Sequence, residues 1–442
     1  MDLFSRMQKW WLALPALFIV ALLSLRFAGF KNTEASAVPQ RLDIDSILEK
    51  YPSEQQAMAE RIDALYTTLN KSNGYNCAVL VARGNDVLLA RGYGFADYKK
   101  QLPLDAHTPF RLASVSKPIT ATAALMLVER GSLDILQPVS HYLESFPYEN
   151  ITVEMLLCHR SGLPNYMHFA PKYLRGKKPT TFTNDDLLEM IVKHKPGLSF
   201  RPDTRFQYSN TNYALLVNIV EKVSGEPFAQ FLQTNVFDPM QMHSAYVLNA
   251  APCPDNAACA YRSGFVKYGD DYLDGVVGDK GICGSITDLY KFHLGLERGL
   301  LLTEQTQKEA YAPRSFERDG QRNYGYGWRL KYPDSGDTVI FHNGWYHGFN
   351  NVFYRRPSDN TVIIVLSNKL NMGVYKIDKL LGILDGKEQS WDTEESEAEA
   401  MSTKPAKRPV IKNASTTYKN AAKKSKPVTK KQPAKKKTTK SS

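Results

Sequence analysis

At 442 residues and 49.9 kDa, with 43% hydrophobic, 11% aromatic and 23% charged residues, the chain has an ordinary globular mix and exceeds the size of one simple core. That composition excludes a collagen-like, a mostly disordered and a polytopic membrane protein. The formal charge of +11 sits in one place: residues 402–442 hold 14 Lys or Arg and no acid, which leaves residues 1–401 at a net −3. A polyanion argument therefore concerns the tail alone, and nucleic acid is not an expected partner, since no base-reading module accompanies the basic run.

In chain order, Arg6 and Lys9 precede sixteen uncharged residues, 10–25, and the apolar character resumes after Arg26 as far as Phe30. A bilayer core takes about 20 apolar residues, and Arg26 can snorkel. Residues 1–31 thus read as a membrane anchor, or as a signal segment with Ala35-Ser36-Ala37 as its cleavage site. A linker, 32–54, leads to a folded domain, 55–385, and then to a disordered tail, 386–442, acidic at 392–399 and afterwards Lys/Pro/Ala-rich.

Within the domain, apolar spacing predicts a helix within 42–69 and a hairpin of strands at 77–82 and 87–93 about Gly84-Asn85-Asp86. Helical segments follow at 120–129, 152–158, 185–193, 212–223 and 287–296. Late strands are predicted at 338–341, 351–354 and 361–366, with Asn343-Gly344 read as a turn between the first two. The sheet is expected to form from both ends of the domain. The five cysteines, Cys77, Cys158, Cys253, Cys259 and Cys283, lack the spacing of a zinc site, so neither a metal nor a cofactor is expected. Cys253 and Cys259 either clip the loop between them, in an exported domain, or are isolated thiols.

Three short motifs carry chemistry. Ser114-x-x-Lys117 opens the apolar helix beginning near Thr120, where free N–H groups and the helix dipole favour negative charge. One turn on, Lys117 can take the Ser114 proton if held neutral. No other serine in the chain has a lysine three residues on. Tyr208-Ser209-Asn210 offers a phenol, held as phenolate or shuttling a proton, and a carboxamide to position a substrate amide. His342-Asn343-Gly344 ends a strand, where Gly344 lets a substrate backbone approach and His342 donates to a carbonyl or carboxylate.

With these motifs in this order, residues 55–380 resemble the serine β-lactamase and penicillin-binding-protein-like superfamily, on its class C β-lactamase, DD-peptidase and esterase side. The segments ITVEMLLCHRSGLP (151–164), FDPMQM (237–242) and GICGSITDL (281–289), with the stretch from Pro196-Gly197 to Gly225, extend the likeness beyond the three motifs. The resemblance implies an α+β fold, β-lactamase/transpeptidase-like: an antiparallel sheet flanked by helices, a mostly helical subdomain, and the active site in the cleft between them. It implies Ser114 as acylated nucleophile, Lys117 and Tyr208 as the proton-transfer pair, and Asn210, His342, Asn343 and Gly344 as substrate-binding residues. The backbone N–H groups of Ser114 and Trp345 would form the oxyanion hole. Many β-lactamases carry Lys where this chain has His342, which brings peptidase-like or esterase-like members nearer.

The expected function is a serine hydrolase working through an acyl-enzyme, a D-alanyl-D-alanine carboxypeptidase-like or D-amino-acid peptidase. A carboxylesterase or β-lactamase of the same fold, and a non-catalytic envelope-binding protein, are the alternatives. The expected substrate is a small molecule or a peptide such as a peptidoglycan stem, met outside the cytosol by a membrane-anchored or exported domain. The tail has envelope polyanions or anionic lipid as its candidate partners.

Overall fold

The computed structural model describes residues 56–387 except 85, 177, 249, 251–252, 319–320 and 334–335. The expected anchor or signal segment, the linker and nearly all of the tail lie outside the described residues, as do residues 42–55 of the first predicted helix. Among the described residues no helix is long and apolar enough to cross a membrane.

Eight strands form one antiparallel sheet. They are β1 (Cys77–Arg83), β2 (Asp86–Tyr93), β3 (Ser315–Arg318), β4 (Arg322–Tyr324), β5 (Arg329–Lys331), β6 (Val339–Tyr346), β7 (Phe349–Arg356) and β8 (Thr361–Ser367), in the order β2-β1-β8-β7-β6-β5-β4-β3. The pairing Cys77↔Ser367 to Arg83↔Thr361 joins the two ends of the domain, as the apolar runs predict. Every residue of β8 is buried, because helices cover both sheet faces there.

The outer face carries a small core, closed by α1 (Gln56–Asn73) and α7 (Asp378–Leu384), which set Ile62, Tyr66, Leu380 and Leu384 against Val79, Val81, Ile363 and Val365. The inner face carries the main core with the helices α2 (Ser116–Glu129), α3 (Val153–Leu157), α4 (Asn184–His194), α5 (Asn210–Ser224) and α6 (Ile286–Glu297). Helix α2 is buried on all sides over its first twelve residues, which fits a central helix and not an amphipathic surface one. Truncating one of its core side chains, such as Ile119, costs about 2–5 kcal/mol. The predicted helices thus occur with boundaries shifted by a few residues, and the α+β arrangement is as expected.

The structure adds three strands, corrects one turn and decides between the two cysteine alternatives. Strands β3, β4 and β5 are absent from the sequence reading because they are short and carry charged residues such as Arg322, Arg329 and Lys331. Asn343 and Gly344 do not form a turn: they lie inside β6, paired with Val352 and Asn351, and the chain reverses at His347-Gly348. Gly344 is needed for closeness instead, since a Cβ there would stand 2.4 Å from the Leu112 carbonyl oxygen. Cys253 and Cys259 are not joined. All five cysteines are free thiols, with Cys253 beside the Tyr246 hydroxyl at 3.6 Å and Cys259 beside Asp97 at 3.4 Å.

Candidate active site

Ser114 sits in a short 3-10 turn, Ala113–Val115, that runs directly into α2. Within the buried run from Leu112 to Thr120 it is the one residue that keeps some exposure. The preceding Ala113 has φ +51°, a left-handed conformation that costs a non-glycine residue about 1–2 kcal/mol, so the surrounding packing holds this turn in place. Strand β6 supplies part of that packing through Gly344, and Asn351 of β7 donates to the Arg111 carbonyl at 2.9 Å.

Lys117 lies in the first turn of α2, fully buried. Its Nζ is 3.1 Å from Ser114 Oγ, 2.9 Å from Asn210 Oδ1 and 2.8 Å from the Asp279 carbonyl oxygen. The Tyr208 and Tyr213 rings flank it, with centroids at 4.8 and 5.6 Å. Burial, aided by the cations Arg329 and Lys280 and opposed by Asp279, pushes the lysine down to about 7. An amine carries two N–H donors and one lone pair. With the Asn210 and Asp279 carbonyls each taking a donor, the lone pair is left for the Ser114 hydroxyl proton.

Asn210 is the first residue of α5, and its Nδ2 donates to Met167 Sδ at 3.1 Å. Tyr208, two residues earlier, is partly buried, and its enclosed hydroxyl has no hydrogen-bond partner among the described residues. Burial raises that hydroxyl above its ordinary range; Arg329, whose guanidinium lies 5.2 Å over the ring, and Ser114 oppose the rise. Tyr208 is therefore a neutral phenol, and the phenolate alternative is corrected. Arg329 itself is held by a buried ion pair with Glu317.

His342 is buried. Its Nδ1 lies 2.8 Å from the Asn343 carbonyl, which can only accept, so Nδ1 carries the proton and Nε2 accepts from the Tyr324 hydroxyl at 3.1 Å. Burial and the charges of Arg329 and Lys117 hold it well below the usual histidine range, so it is neutral. Strand β6 is an edge only in part: β5 pairs with Val339–Phe341 and leaves the following residues open on that side. Alternation along β6 sends the Asn343 side chain, with Val339 and Phe341, to a cavity of about 260 Å³ on the outer face, away from Ser114. Any contact of Asn343 with substrate thus falls to its backbone.

Two features escaped the sequence reading. His159, in the segment 151–164, packs tilted against Tyr208 with ring centroids 4.4 Å apart and is fixed by Asn212 at 2.9 Å. Asp279 and Lys280 are adjacent in the chain and both buried, and the Asp279 carbonyl holds Lys117. The run Gly278-Asp279-Lys280-Gly281 was the available signal, since two charges between glycines beside a family-like stretch are unusual for a surface turn. Gly278 adopts φ +92° against α5, where a Cβ would meet Val217 at 2.3 Å and the Tyr213 carbonyl at 2.7 Å.

Residues 62–386 match the Beta-lactamase family model. The chain is 30% identical over 330 residues to Penicillin-binding protein 4* of Bacillus subtilis, covering 71% of this chain and 73% of that protein. It is 23% identical over 319 residues to a D-aminopeptidase of Gluconobacter oxydans, covering 71% of this chain and 60% of that one. Among solved structures, a penicillin-binding protein of Bacillus halodurans superposes with a TM-score of 0.64 at 27% identity, covering 72% of this chain and 98% of that one. With Ser114, Lys117 and Asn210 assembled on that fold, the chain belongs to the Beta-lactamase family and is a serine hydrolase.

Proposed function

We propose that the enzyme cleaves amide bonds next to D-amino acids by acyl transfer through Ser114, with a D-alanyl-D-alanine carboxypeptidase-like or D-amino-acid peptidase activity on peptides such as peptidoglycan stems. The observation that carries the chemistry is the set of three contacts on Lys117 Nζ, which leaves its lone pair aimed at Ser114 Oγ. Support for the substrate class comes from the similarity to a penicillin-binding protein and a D-aminopeptidase, and from the neutral His342 where many β-lactamases carry a cation.

In this reading Lys117 takes the Ser114 proton as Oγ attacks the carbonyl carbon, and the oxyanion is met by the backbone N–H groups of Ser114 and Trp345. The neutral Tyr208 hydroxyl then gives its proton to the leaving amine and regains one from Lys117. Water releases the acyl group by the reverse transfers, restoring Ser114 Oγ–H. Asn210 steadies both Lys117 and the substrate amide, and Gly344 leaves room for the substrate backbone beside β6.

The same proposal places the domain outside the cytosol, held by residues 1–31, with the basic tail toward envelope polyanions or anionic lipid. A fluorescent β-lactam or fluorophosphonate should label Ser114. A parallel assay on a D-Ala-D-Ala peptide, a D-amino-acid amide and a nitrophenyl ester should show kcat/KM highest for a D-amide; turnover of the ester alone would replace the peptidase reading with the esterase one.

A further inference from the structure

Behind Lys117 runs a row of alternating charges that the acyl-transfer scheme does not use. The Asp279 carbonyl holds Lys117, and only Cα and Cβ separate that carbonyl carbon from the Asp279 carboxyl. The carboxyl is 1% exposed; Oδ2 accepts from the Tyr166 hydroxyl at 3.2 Å and Oδ1 has no hydrogen-bond partner among the described residues. Next comes Lys280, 4% exposed, whose Nζ donates to the Leu273 and Val276 carbonyls at 2.6 Å each and lies over the Tyr166 and Tyr346 rings. Tyr346 donates to Asp274, Asp274 pairs with Arg111 at 2.8 Å, and Arg111 reaches the fully exposed Asp270 at 3.6 Å. A buried carboxyl is costly unless a charge compensates it, and the charges that bear on this one are those of Lys280 and Lys117.

We propose that Asp279 and Lys280 are positioning residues for Lys117: the Asp279 carboxylate stabilises the ammonium that forms when Ser114 gives up its proton, and Lys280 keeps that carboxyl ionised and tempers its pull. The proposal rests on Lys117 being the base. Each transfer creates a positive charge on a fully buried nitrogen, which the low-dielectric setting penalises. The other groups bearing on Lys117 do not relieve that penalty by charge. Arg329 of β5 and Lys280 disfavour the ammonium, His159 and His342 are neutral, and Ser114, Tyr208, Asn210 and Tyr213 are uncharged. Asp279 supplies the opposing negative charge, and its own rise on burial is checked by Lys280, Lys117 and the Tyr166 hydroxyl.

The experiment is the pH dependence of kcat/KM in the full-length enzyme, on an activated D-amino-acid ester, between about pH 5 and 9. The wild-type acid limb is expected near the Lys117 value of about 7. Asp279→Asn keeps the shape and the backbone carbonyl but removes the charge, so the ammonium loses its partner and the limb moves to lower pH by about one unit. Tyr166→Phe, which deletes only the hydroxyl on Asp279, moves it as Asp279→Asn does but by less, and reads the proposal if Asp279→Asn yields no enzyme. The position of a limb does not depend on the fraction of active enzyme, so a merely structural role changes its height and leaves its pH alone. A wild-type limb in Asp279→Asn overturns the proposal. Lys117→Met separates the two readings: if it retains turnover with the wild-type limb, the base assignment fails, and with it retained turnover cannot be charged to Asp279.

Discussion

Two buried lysines neighbour Asp279, Lys117 at its carbonyl and Lys280 as the next residue, and they do different things. Lys280 is held by two backbone carbonyls and two aromatic rings, partners that accept hydrogen bonds but never donate one. Lys117 is held by one backbone carbonyl, one amide oxygen and one hydroxyl, and the hydroxyl can turn from acceptor to donor. Burial lowers both amines. What separates a structural ammonium from a base is thus the one partner able to reverse its hydrogen bond, not depth of burial.

The largest effect expected is from Ser114→Ala, which removes that reversible partner and the nucleophile together. Turnover should fall about 10⁴-fold or more, with loss of covalent labelling by an active-site probe read by mass spectrometry. Labelling retained at another serine would remove Ser114 from the chemistry. Next comes the pair of lysine deletions. Lys117→Met should lower kcat about 10³-fold, since the base itself is lost. Lys280→Met should instead cost about 2–4 kcal/mol of stability, since two buried carbonyls lose their donor, and should retain measurable turnover. Equal kinetic and stability losses in both variants would erase the distinction between the two sites.

The contrast also marks what the sequence could tell. Ser114 and Lys117 are one helical turn apart, so their meeting follows from local geometry and was legible, as was the sheet's closure by 77–83 and 361–367. Asp279 reaches Lys117 across 162 positions, a contact that only tertiary packing of the Gly278 loop on α5 creates. Gly344 misled for a related reason: a residue type common in turns was there to admit the Leu112 carbonyl, and nothing local distinguishes the two uses. The short strands from 315 to 331 were missed because pairing with β6 and with one another, more than apolar patterning, makes them strands.

Smaller effects test the walls of the Lys117 site. Tyr208→Phe removes a hydroxyl that has no hydrogen-bond partner among the described residues and that the mechanism gives a transfer role, so kcat should fall about 10²-fold with little change in melting temperature. Near-normal kcat would leave the leaving-group proton to Lys117 alone. His342→Lys puts a third lysine near the cleft, beside the Tyr324 hydroxyl and the Asn343 carbonyl. The ratio of kcat/KM for carboxylate-bearing over neutral substrates should rise about tenfold, by charge-assisted hydrogen bonding. An unchanged ratio would mean that position 342 does not see the substrate.

The smallest effect is expected where the proposed function uses only a backbone group. Trp345 is 48% exposed, and alternation from Gly344, which faces the Ser114 turn, points its side chain away from the nucleophile. Its share in the oxyanion hole is the N–H alone. Trp345→Ala should therefore change kcat by less than about threefold, whereas Trp345→Pro, which deletes the N–H, should lower it about 10²–10³-fold, the cost of one oxyanion donor. Circular dichroism and the label stoichiometry of Trp345→Pro distinguish a lost donor from a lost strand. If Ala proves as harmful as Pro in a folded enzyme, the indole and not the N–H is what position 345 contributes, and the oxyanion hole must draw its second donor from elsewhere along the open edge of β6.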